Sequence, residues 1–384
     1  MNINEESLNY HKENKGKIGL QCNTEIKDNH DLSVAYTPGV AAPCLAIKED
    51  KTKVYDYTWK GRTIAVVTDG SAVLGLGNIG PEAGLPVMEG KAMLFKSFAD
   101  VDAIPICLDT QDTEEIIKTV KNIAPAFGGI NLEDISAPRC FEIEKRLIEE
   151  LEIPVFHDDQ HGTAIAVCAG LSNALKLVGK DFSSAKFVIN GAGSAGISIA
   201  KLILKFGAKN LILVDRLGAV CYGLEWLNDA QKEMAKITNL NHIQGKLDDV
   251  IDGADVFIGV STARALSIEN AKKMNKDAIV FAMANPTPEI TPEEAKEANV
   301  RIMATGRSDY PNQINNVLVF PGLFKGVLAA RRRFITDDLK VAVSKAIASV
   351  IKEDELRDDY IIPNAFDAKV VDAIVKTIEE FKEA

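Results

Sequence analysis

The rhythm of hydrophobic and polar positions changes after Tyr57. Before it the chain is polar and irregular, and the turn YTPGVAAP from Tyr36 to Pro43 carries two prolines and a glycine that forbid a continuous helix. Short apolar runs then alternate with amphipathic stretches. Thr63–Thr68 reads as a buried strand, Pro86–Ala99 as a helix with proline in its first turn, and Asp102–Leu108 as the next strand. Helices are expected near Thr113–Ile123 and Pro138–Leu151, with short strands at Gly129–Leu132 and Pro154–Phe156. A helix from His161 to about Leu177 leads into a second series: strand Lys186–Asn190, helix Ser194–Phe206, strand Asn210–Val214, and strands at Asp255–Gly259, Ala278–Ala282 and Arg301–Ala304. Long helical patterns follow Pro321, with no internal repeat or low-complexity tract. Strand–helix alternation of this kind predicts an α/β protein with mostly parallel sheets, an N-terminal α/β domain followed by a C-terminal Rossmann-type domain. The boundary falls near Asp159–Gly162, giving domains 1–160 and 161–384.

Bulk composition narrows the function class. A chain of 384 residues with 46% hydrophobic content is long enough for two cores. A net charge of -11 argues against a nucleic-acid surface, which needs clustered Lys and Arg to displace counterions. The Arg331–Arg333 triplet is the one compact basic run and reads as the solvated end of a helix. Six scattered cysteines, Cys22, Cys44, Cys107, Cys140, Cys168 and Cys221, form no C-x-x-C pair and read as reduced, buried sulfur. Glu5 and Glu6 occupy the start where a signal peptide would be basic and then apolar, and no run reaches the roughly 18 apolar residues of a membrane span. A cytoplasmic protein with no membrane partner is expected.

Two motifs carry chemistry. In Gly191-Ala192-Gly193-Ser194-Ala195-Gly196, between a strand and a helix, the first glycine permits a tight turn. The second admits a pyrophosphate, and the third lets helix and strand pack closely. The helix N-terminus adds amide donors and a positive dipole end. Asp215 closes the next strand, LILVD, where an acidic residue meets the adenosine ribose hydroxyls, which favours NAD. Arg216 beside it offers a partner for the extra phosphate of NADP, so the lean to NAD is slight.

The second motif is acidic. Glu133, Asp134, Asp158 and Asp159 supply hard oxygen ligands suited to Mg²⁺ or Mn²⁺ at two predicted strand ends, and an interdomain cleft is a common ligand location. Adjacent side chains at a strand end point in opposite directions, so only some of the four are expected to reach one ion. The competing reading makes Asp134 and Asp159 helix N-caps. His157 and His161 read either as hydrogen-bonding support or as satisfied structural residues. Tyr36 reads as an anchored ring or a proton donor. Lys91, on an apolar stretch, reads as an amine that titrates low and acts as a base, or as a stem that snorkels to solvent. Asn285 and the Asn315-Asn316 pair read as turn or cap residues.

Taken in order, YTPGVA, VTDGSAVLGLGNIG, PVMEGKA, NLEDI, FHDDQHGTA, GAGSAG, ANPTPE and NNVLVFPG resemble the malic enzymes, particularly their compact prokaryotic-type form, over nearly the whole chain. The resemblance implies oxidative decarboxylation of L-malate to pyruvate and CO₂ with NAD or NADP and Mg²⁺ or Mn²⁺, action on oxaloacetate, and a cytoplasmic homodimer. It implies Tyr36 as general acid, Lys91 as general base, and Glu133, Asp134 and Asp159 as metal ligands with Asp158 as close catalytic support. Gly191, Ala192, Gly193, Ser194, Ala195, Gly196, Asp215 and Asn285 would bind the cofactor, and Asn285 and Asn316 the substrate. One departure stands out: larger members carry an arginine after VTDG that holds a malate carboxylate, whereas this chain has Ala72, with backbone amides around Gly75 to Gly77 as a substitute. Two alternatives remain, a malolactic enzyme forming lactate and a catalytically inactive nucleotide-sensing homologue. The apolar-patterned tail from Leu339 to Phe381 offers either a dimer surface or intrachain packing.

Overall fold

The computed structural model describes residues 2–73 and 75–383. Two sheets carry the architecture. The first contains β1 (Thr63–Thr68), β2 (Asp102–Cys107), β3 (Gly129–Leu132) and β4 (Val155–His157), all parallel, in the order β2-β1-β3-β4. Its register pairs Ile64 with Ala103 and Gly129, and Leu132 with His157. Alternation along β1 sorts side chains to two faces, as a period of two requires. Ile64 and Val66 meet Met88 and Phe95 of the helix Pro81–Ala99, while Ala65 and Val67 meet Ile116, Ile117, Ile143 and Leu147 of the helices Thr113–Ile123 and Arg139–Glu150.

The second sheet contains β5 (Lys186–Asn190), β6 (Asn210–Asp215), β7 (Gly218–Ala219), β8 (Val256–Gly259), β9 (Ile279–Ala282) and β10 (Ile302–Thr305), in the order β10-β9-β8-β5-β6-β7. Only β7, a two-residue strand with no sequence signal, runs antiparallel. After β5 the chain winds to β6 on one side, and β8 lies on the other. This strand-order switch is where open α/β sheets bind ligands beyond the strand ends.

One core joins the two sheets. Phe187 and Ile189 of β5 share a cluster with Ile64, Met88 and Phe95, bridged by the helix Asp158–Leu177, which buries residues on nearly every side. Phe320 and Phe324, from the helix Phe320–Ala329, close on Phe95 at ring separations of 4.6 and 5.5 Å. Burying one such ring contributes about 1.5–3 kcal/mol.

Several sequence expectations change here. The first helix of the alternating region starts at Pro81, not Pro86, so Pro81 takes the first turn and Pro86 lies inside. The bridging helix starts at Asp158 rather than His161, with His157 at its N-cap position and no side-chain cap. The tail takes the intrachain alternative: Leu339, Val343 and Ile347 of Asp337–Ser349, and Val370, Ile374 and Ile378 of Ala368–Glu380, are buried. Nor is the arginine triplet merely solvated. Arg331 pairs with Asp56, Arg332 donates to the carbonyls of Ile378 and Phe381, and Arg333 donates to those of Glu149 and Leu151. Two helix C-termini thus receive guanidinium caps, favoured by the helix dipole. The cysteines are unpaired as expected, but Cys22 and Cys44 are exposed rather than buried.

Residues before β1 pack least. The helices Ile3–Asn14, Asn29–Ala35 and Ala41–Glu49 bury no residue, and Leu20, Leu32, Val34 and Leu45 stand exposed. Lys17 fastens this arm to the Pro81–Ala99 helix, its amide donating to Glu89 Oε2 at 3.0 Å and its ammonium to the Pro86 carbonyl at 2.5 Å.

Candidate active site

Glu133, Asp134 and Asp159 bring one carboxylate oxygen each to within 4.8 Å of one another. Strand alternation alone would have parted Glu133 from Asp134. It stops at Leu132, and Asp134 takes a left-handed φ of 53°, which turns its side chain back beside its neighbour. The Asp134 amide donates to Asp159 Oδ2 at 2.8 Å, and the Asp134 carbonyl accepts from Ala72 at 2.9 Å. Neither aspartate is an N-cap: Asp159 lies within the first helical turn, and no helix begins at Ile135. Asp158, one residue earlier on the helix, faces Lys91 instead.

Lys91 is buried, and it does not snorkel. Its Nζ lies 2.5 Å from Asp158 Oδ2, 2.8 Å from Glu133 Oε1 and 4.0 Å from the centre of the Phe320 ring. Burial pushes the amine down, but Asp158, Glu133 and Asp159 outweigh it and hold Lys91 above its ordinary value. The low-titrating amine expected from its apolar helix neighbours is therefore not found in this arrangement. Carboxylates just beyond the ends of β3 and β4, invisible in helix periodicity, decide its charge. The acids shift in return. Burial pushes Glu133 and Asp158 up to about 7 and raises Asp159, with Lys91 opposing each. Clustered hard oxygens raised by burial and mutual repulsion fit Mg²⁺ or Mn²⁺, and soft sulfur ligands are absent from the trio.

Supporting bonds fix this geometry. Asn131 Nδ2 donates to Glu133 Oε2 at 2.8 Å. Asn316 lies beside Asp158 and works to lower its carboxyl, whereas Asn315 caps its own turn by accepting from Val317 at 2.9 Å. Only the second asparagine thus enters the site. The buried Glu144 accepts from the His157 amide and from His161 Nε2, each at 2.9 Å. Lys340 donates to His161 Nδ1 at 3.1 Å, and since an ammonium can only donate, the imidazole proton sits on Nε2. Burial works to raise Glu144, but His161, His157 and Lys340 take it down to about 2; burial pushes His157 down to about 4. Arg139 reaches Asp69 at 2.9 Å and the hydroxyls of Ser71 and Ser136 at 3.0 Å, fastening the two loops that flank the trio. Sequence reading missed Glu144 and Arg139. Glu144 did leave a signal, as a charge at the buried spacing of Cys140, Ile143 and Leu147.

Tyr36 is not brought to Lys91 within this chain. It ends the helix Asn29–Ala35 with 67% of its surface exposed and makes no side-chain hydrogen bond to the cluster. The proposed amide substitute for the missing arginine is also largely committed, because Leu76 and Gly77 both donate to the Val73 carbonyl. Asn285 is exposed beyond β9, and Gly75 approaches its carbonyl so that an added Cβ would lie 3.1 Å away.

At the other motif, Gly191 has φ 126°, and a Cβ there would lie 2.7 Å from the Val260 carbonyl. A Cβ on Gly196 would sit 1.7 Å from the Gly191 carbonyl, whereas Gly193 faces open space. The turn therefore needs its outer glycines for packing and leaves its middle one clear for a ligand. It opens onto a cavity of about 490 Å³ lined by Ala192, Asp215, Arg216, Lys246, Ser261 and neighbours, at the N-terminus of the helix Ser194–Lys205. Gln231, also missed from sequence, donates to Asp215 Oδ2 at 3.0 Å and to the Ala192 carbonyl at 3.2 Å.

Comparison with known proteins agrees with both halves. Residues 15–148 match the malic enzyme N-terminal domain and residues 160–378 the malic enzyme NAD binding domain. The chain is 57% identical to a bifunctional malic/malolactic enzyme of Bacillus subtilis, over 98% of this chain and 92% of that one. It is 61% identical to an NAD-dependent malic enzyme of Geobacillus stearothermophilus, over 95% and 76%. A crystal structure of malic enzyme from Pyrococcus horikoshii superposes with a TM-score of 0.95 at 48% identity, covering 99% of this chain and 90% of that one. With residues 15–148 and 160–378 matched and the fold reproduced, the chain belongs to the malic enzyme family.

Proposed function

We propose that this chain oxidatively decarboxylates L-malate to pyruvate and CO₂, reducing NAD⁺ or NADP⁺ in the presence of Mg²⁺ or Mn²⁺. The observation that carries this reading is the convergence of Glu133, Asp134 and Asp159 within 4.8 Å, with Lys91 Nζ 2.8 Å from Glu133. Those three would hold the cation, whose chemistry when bound is Lewis-acid polarisation of the C2 oxygen and an electron sink during loss of CO₂. Lys91 is assigned the C2 hydroxyl proton. As an ammonium it cannot take one, and Asp158 Oδ2 at 2.5 Å is the acceptor that can relieve it, its carboxyl pushed up to about 7 by burial. A neutral Lys91 then removes the hydroxyl proton, with Asp158 as its acid–base partner, and a bound nicotinamide would supply the acceptor for the C2 hydride. Tyr36 is assigned protonation of C3 of enolpyruvate. The segment Gly191 to Gly196, Asp215 and Asn285 are assigned to the dinucleotide, and Asn285 and Asn316 to the substrate. The same site acts on added oxaloacetate.

The name of the Bacillus subtilis relative favours a second reading, conversion of malate to lactate without net coenzyme reduction. A steady-state assay with malate, each coenzyme, and Mg²⁺ or Mn²⁺ added or chelated decides between them. Pyruvate and reduced coenzyme accumulating only with the cation support the first reading. Lactate without reduced coenzyme supports the second, and no turnover at all leaves the nucleotide-sensing homologue.

The exposed apolar residues of the arm favour a homodimer, since a patch of this kind on a monomer is unusual. A second copy seated there would also cover Tyr36. A monomer in sedimentation velocity at micromolar concentration would exclude this. Six unpaired cysteines go with a reducing, cytoplasmic location, which recovery in a membrane or extracellular fraction would exclude. Among the described residues no helix is long and apolar enough to cross a membrane. The division into 1–160 and 161–384 has the support that every strand of the first sheet precedes Asp158 and every strand of the second follows Leu177. Limited proteolysis that leaves no cut between His157 and Lys186 while releasing smaller units elsewhere would argue against it.

A further inference from the structure

We propose that Gln231 is a positioning residue for coenzyme choice, holding the Asp215 carboxylate against the glycine turn so that it presents to a ribose hydroxyl rather than to a 2′-phosphate. The inference rests on the dinucleotide reading of Gly191 to Gly196 and Asp215 given above. Gln231 is 5% exposed, and every hydrogen-bonding group of its amide has a partner. Nε2 donates one hydrogen to Asp215 Oδ2 at 3.0 Å and the other to the Ala192 carbonyl at 3.2 Å, while Oε1 accepts from the Asn228 amide at 3.1 Å. One side chain thereby ties the end of β6 to the turn that follows β5 and to the start of the helix Asp229–Ala235.

This matters because the cavity wall is mixed. Asp215 lines it together with Asp248 and the exposed Arg216 and Lys246. Two cations at that wall suit a 2′-phosphate, and a carboxylate pinned in place repels one and accepts from a ribose hydroxyl. A carboxylate hydrogen-bonded on Oδ2 by a buried amide keeps its plane fixed. Released, it no longer holds its oxygens at the ribose hydroxyls, and its repulsion of a 2′-phosphate is no longer fixed in place.

The test separates this from a cap role, because Gln231 also completes a capping box with Asn228. Asn228→Ala removes the cap while keeping both amide donors of Gln231. Gln231→Leu and Asn228→Ala are therefore assayed with NAD and NADP, alongside Asp215→Ala and the Asp215→Ala/Gln231→Leu double variant. The expected result is a fall of about tenfold in the NAD-to-NADP ratio of kcat/KM for Gln231→Leu, the size of one charge-assisted hydrogen bond, and an unchanged ratio for Asn228→Ala. KM for NAD should carry the change, with kcat and KM for malate unmoved. In the double variant the Gln231 substitution should add nothing. Wild-type discrimination in Gln231→Leu, the same fall in Asn228→Ala, or equal losses for both coenzymes, overturns the inference. If Asp215→Ala changes neither coenzyme, the dinucleotide reading itself fails.

Discussion

The charge of Lys91 shows how far a single residue depends on elements remote in sequence. Its helix neighbours are apolar and argue for a depressed amine, but Asp158 at 2.5 Å and Glu133 at 2.8 Å set the opposite direction. Lys91→Ala should lower kcat on malate by about 10²- to 10⁴-fold, the usual contribution of one positioned acid–base group. The substitution also leaves two buried acids facing each other, so Lys91→Arg, which keeps a cation there, controls for loss of structure. Turnover within about threefold of wild type in the alanine variant would remove Lys91 from the mechanism. Which residues carry hard-ligand or proton chemistry was legible from type and spacing, since Glu133, Asp134 and Asp159 stand out in NLEDI and FHDDQ. Which of the four acids would share one centre was not, because it turned on a left-handed φ at Asp134 and on a helix that begins at Asp158.

At the scale of elements, strands and helices between Thr63 and Lys205 follow the hydrophobic pattern closely, because β1, β3 and β4 are covered on both faces and the helices Thr113–Ile123 and Arg139–Glu150 each bury one stripe. Boundaries fail where local chemistry is ambiguous. Pro86 looked like a helix start, yet Pro81 supplies the same fixed φ one and a half turns earlier. The glycine turn is the element most constrained by contact. Gly196→Ala places a Cβ 1.7 Å from the Gly191 carbonyl, which neither backbone can relieve without moving β5 from its helix. That variant should lose coenzyme binding by at least about tenfold, read by quenching or calorimetry, and melt lower than wild type. Gly193→Ala meets no protein atom within 4 Å, so it should keep its melting temperature and weaken only the coenzyme. Equal melting losses in both would show that the turn is purely structural.

For the whole molecule, the trio and the turn are held in one body by a continuous core, and the cation role proposed for the trio carries a pH dependence. Glu133 is raised from 4.5 to about 7 chiefly by burial, so its own contribution to stability is complete below 4.5 and is lost as pH climbs through about 7. A cation competes with that proton and takes over above it. Saturating Mn²⁺ should therefore raise the melting temperature clearly at pH 8, and its apparent affinity should fall by about tenfold at one pH unit below the Glu133 midpoint. A shift independent of pH across that window would place the ion elsewhere. Glu144, held down to about 2 mainly against burial by His161, works in the other direction: its contribution is present above 4.5 and lost only as pH falls through about 2.

Sequence by itself determined the fold class, the order of elements and the kinds of chemistry available, because periodicity, glycine placement and ligand hardness are local properties. Tertiary structure alone decided the charge state of Lys91, the gathering of Glu133, Asp134 and Asp159 while Asp158 faces Lys91, the exposure of Tyr36, and the intrachain packing of the tail. Those outcomes depend on which distant groups become neighbours and how much water they lose, and energies of that kind act through space rather than along the chain.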